Sequence, residues 1–135
     1  MTTPEYVELQ VTSNFTFLEG AAHPEELTER AAELGHSALA ITDRNTLAGI
    51  VRGHLGAKRA GIRVIVGVRL DFIDASPSLL CLPTDKAAYS RLSQLLTLGK
   101  RRTEKSQCHL RIDDLINPNG VFLRGAGQIL ITLPP

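Results

Sequence analysis

Apolar positions along the chain follow two alternating rhythms, and the alternation predicts strands and helices in turn. In YVELQV (6–11), Tyr6, Val7, Leu9 and Val11 are separated by polar residues, the pattern of a partly buried strand. TSNFTFLEGAA then reads as a loop. HPEELTERAAELG predicts a helix: Pro24 suits the first helical position, where its missing N–H costs nothing. Glu25 and Glu26 fall in the first turn, favourable to the helix dipole. Leu27, Ala31 and Leu34 share one face, and Gly35 supplies the stop. ALAIT (38–42) is nearly all apolar, as a strand covered on both faces should be.

The same alternation continues. Residues 46–60 predict a helix with Leu47, Ile50, Val51 and Leu55 on its apolar stripe, ended by Gly61, and RVIVGV (63–68) predicts another buried strand. Strand, helix and strand in about thirty residues make a βαβ unit, with parallel strands and a right-handed crossover. LDFID leads through Pro77 to LLCL, a further strand. Thr84 or Asp85 caps a helix over 85–98 with Leu92, Leu95 and Leu96 inward and Gly99 at its close. Residues 100–107 read as a basic exposed loop, 113–116 as a short helix, NPNG as a turn and QILITLPP as a last strand. The expectation is an α/β fold in a single domain spanning 1–135, with about five mainly parallel strands and flanking helices. An open sheet could be complete at this length. A closed β/α barrel could not.

Composition narrows this picture modestly. The formal net charge of +1 gives no general argument for a polyanion partner. The distribution is less even: residues 1–50 hold eight acids and two bases, whereas 51–111 hold twelve bases and four acids. Cys81 and Cys108 lack C-x-x-C spacing, and Cys81 sits inside SLLCLP, so a buried free thiol in a reducing cytoplasm is expected. The start of the chain lacks the basic and apolar regions of a signal peptide, and no apolar run approaches the roughly 20 residues that span a bilayer. A cytoplasmic protein without a membrane partner is expected.

One motif asks for chemistry. ALAITDRN (38–45) places a carboxylate, Asp43, at the end of a buried strand, where α/β proteins often keep reactive groups. With YVELQVTSNFTFLEGAAHPEELTERAAELGHSALAITDRNTLAGIVRGHLGAKRAGIRVIVG, LLCLPTDKAAYSRLSQLLTLGKRR and GQILITLPP, the chain resembles the amino-terminal PHP (polymerase and histidinol phosphatase) domain of bacterial family C DNA polymerases, closest to the error-prone branch. The resemblance runs from Tyr6 to Pro135 and is weakest around INPNGVFLRGA.

That resemblance implies a partial, distorted PHP-type β/α barrel, left incomplete. Active members hold up to three divalent metals on His, Asp and Glu side chains at strand ends, and such metals activate water against a phosphoester. Where the family has a His-x-His pair this chain has Gln10 and Thr12, whose neutral oxygens are poor ligands for zinc or manganese. The family's Asp-His pair is Asp43-Arg44. A later Glu corresponds to Arg69, or to Val68 if the register slips by one. Guanidinium groups at Arg44 and Arg69 would occupy a cation's place, since two like charges about 5 Å apart cost about 3 kcal/mol at an effective dielectric of about 20. Asp43 is thus expected to be the surviving acid of a degenerate metal site, paired with an arginine or capping the helix that follows.

The implied function is the amino-terminal PHP segment of an error-prone, translesion DNA polymerase, with a structural or interaction role in DNA replication and repair. The family's palm-domain aspartates are absent, so the segment is not expected to transfer nucleotides. No cofactor is expected. Expected partners are the rest of a polymerase chain or its accessory subunits, DNA indirectly, and a second copy through open sheet edges. Two alternatives remain open: an active metal-dependent phosphoesterase or 3′–5′ exonuclease, using manganese, zinc or magnesium, and a stand-alone oligomeric binding module. The four histidines lack ligand spacing: His23 precedes a helix, His36 is expected to be exposed, His54 to lie near an apolar stripe, and His109 beyond the basic loop. Ser13 and Ser106 lack a nucleophile elbow, and no phosphate-binding glycine motif occurs. Lys100, Arg101, Arg102 and Lys105 are candidate contacts to a nucleic-acid backbone.

Overall fold

Every residue of the ALAI segment is buried, and the first half of the molecule is arranged around it. In the computed structural model, which describes residues 6–16, 20–104 and 107–134, the chain divides into two compact units, 1–68 and 69–135. The first contains β1 (Glu8–Val11), α1 (Pro24–Glu33), β2 (Ala38–Ile41), α2 (Ile50–Ala60) and β3 (Arg63–Val66). The strand order is β1-β2-β3, parallel throughout, with Leu39 opposite both Glu8 and Val64. This is the expected βαβ arrangement with one more strand beside it. Leu39 and Ile41 are fully buried, each contributing about 1.5–3 kcal/mol of transfer free energy, and Ala31, Ile50, Leu27 and Val64 pack around them.

Helix α1 begins at Pro24 as expected. It is followed by Gly35 at φ +83°, a left-handed conformation that favours glycine. Helix α2 departs from expectation in two ways. It starts at Ile50 rather than Thr46, because Asn45 adopts φ +52° and the chain turns before the helix begins. Its buried face is Ile50, Gly53, Gly56 and Ala57, whereas Val51 and Leu55 are 69% and 51% exposed. The glycines explain the rotation. A Cβ at Gly56 would stand 2.5 Å from Thr28 Oγ1 and 2.8 Å from Glu25 Cα, so α1 packs directly on glycine backbone. His54 accordingly faces solvent instead of bordering the core.

The second unit contains β5 (Leu79–Pro83), α3 (Lys86–Arg101), α4 (Ile112–Ile116), a 3-10 turn (Leu123–Gly125) and β6 (Gln128–Thr132). The short strand β4 (Val68–Leu70) begins at the unit boundary, and its sheet has the order β4-β5-β6. Asp85 caps α3 by accepting the Ala88 N–H at 2.7 Å, and Leu92, Leu95 and Leu96 are buried as expected. Helix α3 does not stop at Gly99 but runs on to Arg101. Gly99 instead makes room for the returning chain, since a Cβ there would lie 2.6 Å from Cys108 Sγ. Cys81 is buried, and burial pushes its thiol up to about 12, as an inert core cysteine requires.

Strand β6 pairs with β5 in the antiparallel sense, while the β1-β2-β3 sheet is parallel, so the fold combines both kinds of pairing. The reason lies in the return path. Thr84 N–H donates to Gly127 O at 2.9 Å and Arg91 Nη2 to Ala126 O at 2.6 Å, so the chain has already come back to the exit end of β5. Starting there, β6 can only run the opposite way. It is also the outer strand of its sheet, with Ile129 and Leu130 about half exposed. Among the described residues both sheets are open, and six strands form where about five were expected.

The α1–α2 contact is the tightest helix packing in the first unit and the easiest to test. Gly56→Ala should lower stability by about 1–3 kcal/mol through overpacking, because helix backbone must move. Urea denaturation checks this, and an unchanged midpoint would contradict the close approach.

Candidate functional site

Strand β2 ends at Ile41, and the next two residues, Thr42 and Asp43, are also buried. A carboxylate 2% exposed needs donors, because an unpaired buried charge is far costlier than a solvated one. The loop after β1 supplies them. Ser13 N–H donates to Asp43 Oδ1 at 2.7 Å and Ser13 Oγ–H to Oδ2 at 2.6 Å. Thr16 Oγ1–H donates to Oδ1 at 2.8 Å. Ser13 and Thr16 are themselves buried, and a local turn fixes them: Thr16 N–H bonds Ser13 O at 3.1 Å, and Phe15 N–H bonds Ser13 Oγ at 3.2 Å. Thr16 Oγ1 also accepts the Arg44 N–H at 3.0 Å, tying the two loops together a second time.

Helix α2 enters this cluster from one side. Its cap residue, Gly49, would place a Cβ 3.0 Å from Asp43 Oδ2 and 3.2 Å from Ser13 Oγ. Glycine therefore permits the approach of the helix, and the cap position of α2 is held by Gly49, without a side-chain bond, rather than by Asp43 as expected. The donors shown on Asp43 are neutral groups. From sequence, Ser13 has no role beyond that of a weak nucleophile candidate and Thr16 none at all. Their three-residue spacing straight after a strand was the available signal, since Ser and Thr at such positions build turns with their own backbone.

The other candidate positions differ in burial. Gln10 is exposed on β1 and Thr12 half-buried just beyond it. Arg44 is exposed. Val68 is fully buried, and Arg69, in the second unit, donates through Nε to Asp71 Oδ1 at 3.0 Å. Ser78 Oγ–H donates to that same Asp71 oxygen at 2.6 Å. Among the described residues no group of three or more His, Cys, Asp or Glu converges as a metal site would require. His23 is the residue before α1, with its Nδ1 3.1 Å from Asn14 Nδ2. His36 is half-buried with its ring 5.1 Å from that of Tyr6, not exposed as expected.

The basic candidates divide. Lys100 and Arg101 lie in the last turn of α3 and are exposed. Arg102 is committed elsewhere: its guanidinium grips Asp114 with Nη1 at 2.6 Å from Oδ2 and Nη2 at 2.8 Å from Oδ1, a bidentate pair. Asp114 Oδ2 also accepts the Arg111 N–H at 2.9 Å, so the pair anchors α4 to the end of α3. Lys105 and Ser106 lie outside the described residues.

Two outcomes follow from this geometry. Ser13→Ala should cost about 1.5–3 kcal/mol, the usual worth of a hydrogen bond to a charged group, measured by chemical denaturation; a loss under half a kcal/mol would mean that the hydroxyl is dispensable. The Arg102 guanidinium, and then the Arg111 N–H, hold the Asp114 carboxyl below the usual carboxylate range. Its contribution is therefore present above the ordinary aspartate value of about 3.9 and is lost as pH falls through the lower folded value. Asp114→Asn should flatten part of the acid limb of a stability–pH curve while leaving its shape near neutrality unchanged.

Comparison with known proteins places these features. A PHP domain model matches residues 8–120. An error-prone DNA polymerase of Caulobacter vibrioides is 50% identical over 135 residues, covering 100% of this chain and 12% of that protein. Error-prone DNA polymerase 2 of Agrobacterium fabrum is 53% identical over 126 residues, 93% of this chain and 11% of its own. The chain thus spans about a tenth of the length of these relatives. Among solved structures, a protein assigned as a metal-dependent phosphoesterase from Bifidobacterium adolescentis superposes with a TM-score of 0.61 at 21% identity, over 73% of this chain and 34% of that one. An amidohydrolase from Chromobacterium violaceum, solved with bound sulfate, gives 0.59 at 26% identity, over 70% and 33%. The open, mixed sheets with flanking helices are those of a distorted, incomplete PHP-type β/α barrel. By sequence and by fold the chain belongs to the PHP domain family, homologous to the error-prone, family C DNA polymerases.

Proposed function

We propose that this chain serves as the amino-terminal portion of the PHP domain of an error-prone DNA polymerase, with a scaffolding role in cytoplasmic DNA replication and translesion repair. In this reading its metal site is degenerate. The observation that carries it is the state of Asp43. Both carboxylate oxygens accept hydrogen bonds from Ser13 and Thr16 in a buried setting, two on Oδ1 and one on Oδ2, which leaves few lone-pair directions for a cation. At the other family positions, Gln10 and Thr12 offer only neutral oxygens, and Arg44 and Arg69 are cationic residues.

A scaffold needs a surface to offer. The free edge of β6, with Ile129 and Leu130 exposed, suits the rest of a polymerase chain or an accessory subunit. The same edge would support pairing with a second copy where no such partner covers it. DNA enters this reading indirectly, as the substrate of the assembled polymerase.

Calorimetric titration with manganese and with zinc tests the proposal. The expected result is no saturable binding at micromolar metal, for the wild-type chain and for Asp43→Ala alike. Micromolar binding that Asp43→Ala abolishes would overturn it and restore the phosphoesterase alternative.

A further inference from the structure

Helix α3 carries Lys86, Arg91, Lys100 and Arg101 and no acidic residue in its sixteen positions. Arg91 is spent on the Ala126 carbonyl, but Lys86, Lys100 and Arg101 are exposed, and among the described residues none of them forms an ion pair. The three lie on one stripe with Ser90, Ser93 and Thr97, because positions 86, 90, 93, 97 and 100–101 recur at helical spacing on the face opposite Leu92, Leu95 and Leu96. Along this stripe runs an open groove of about 450 Å³ lined by Ser90, Ser93, Gln94, Thr97 and Arg101, with Leu98 and Val121 as apolar walls. No carboxylate lines it. Of the acids that adjoin α3 in sequence or are paired at its end, Asp85 caps the helix, Asp114 is held by Arg102, and Glu104 follows the last turn.

We propose that the outer face of α3 binds the phosphodiester backbone of duplex nucleic acid without reading sequence. Hydroxyls, amides, Lys and Arg are the side chains that contact phosphate oxygens. The helix is roughly 22 Å long at about 1.5 Å per residue, enough to follow several phosphates that rise about 3.4 Å each along one strand. Tyr89, at the edge of the face, is its one aromatic side chain, so a single strand would find no stacking platform, and the duplex is the fitting ligand. The interface is thus the helix face, to which Lys100 and Arg101 belong, while Arg102 beyond it is withdrawn by Asp114. This goes beyond the scaffold reading and stands apart from it: a chain that bound manganese at Asp43 could still bind a duplex on α3.

Fluorescence anisotropy of the 135-residue chain with a labelled 20-mer duplex, across a range of salt concentrations, tests the inference. Wild type should bind with a log–log salt slope that the triple variant Lys86→Gln/Lys100→Gln/Arg101→Gln makes shallower by about 2–3, with affinity near 0.1 M salt falling at least roughly tenfold. Lys58→Gln/Arg59→Gln, which strips exposed bases from α2, should leave the slope unchanged. Ser93→Ala/Thr97→Ala should weaken binding without altering the slope. The inference is overturned if wild type shows no saturable binding, if the α2 variant loses as much slope as the α3 variant, or if polyphosphate binds and the duplex does not.

Discussion

A carboxylate sealed from water must be answered by donors, and the first unit is organised around that demand. Asp43 is carried to its place by the most buried strand of the sheet, and the β1–α1 loop folds back to meet it with one backbone N–H and two hydroxyls. Gly49 then lets the start of α2 close on the cluster. Remove the charge and the β1–α1 and β2–α2 loops lose their shared anchor. Local fold and site chemistry are two faces of one arrangement: the oxygens of this buried carboxylate are what hold the loops together.

The second unit solves a different problem with the same economy of means. Its helix α3 buries leucines on one side and keeps the other free of carboxylates, while Asp114 and Arg102 neutralise each other at the helix end. One basic residue therefore stabilises the fold, and its neighbours in sequence stay available. Charge counting along the chain cannot make that distinction, because it sees Lys100, Arg101 and Arg102 as one run.

What the sequence made legible follows from this physics. Elements with strong local signals were read well: Pro24 and Gly35 bracket α1, Asp85 caps α3, and ALAI is a two-sided buried strand. The orientation of α2 was not, because an apolar stripe is counted from side chains, and here the closest packing is made by Gly53 and Gly56, which have none. The antiparallel sense of β6 depends on where the 107–127 segment delivers the chain, a long-range fact with no local marker. At the site, Asp43 was identified from its place after a strand. Ser13 and Thr16 were missed because hydroxyls in a loop become meaningful only once a buried charge is seen opposite them.

Satisfying Asp43 from within has a consequence for the life of the protein in a cell. Where an ion closes such a cluster, its binding energy is part of the folding energy, and scarcity of that ion loosens the structure. Serine and threonine are synthesised into the chain and cannot be withdrawn. The geometry around Asp43 is thereby written into the covalent chain, in hydroxyls and a backbone N–H that are present as soon as the loops are made.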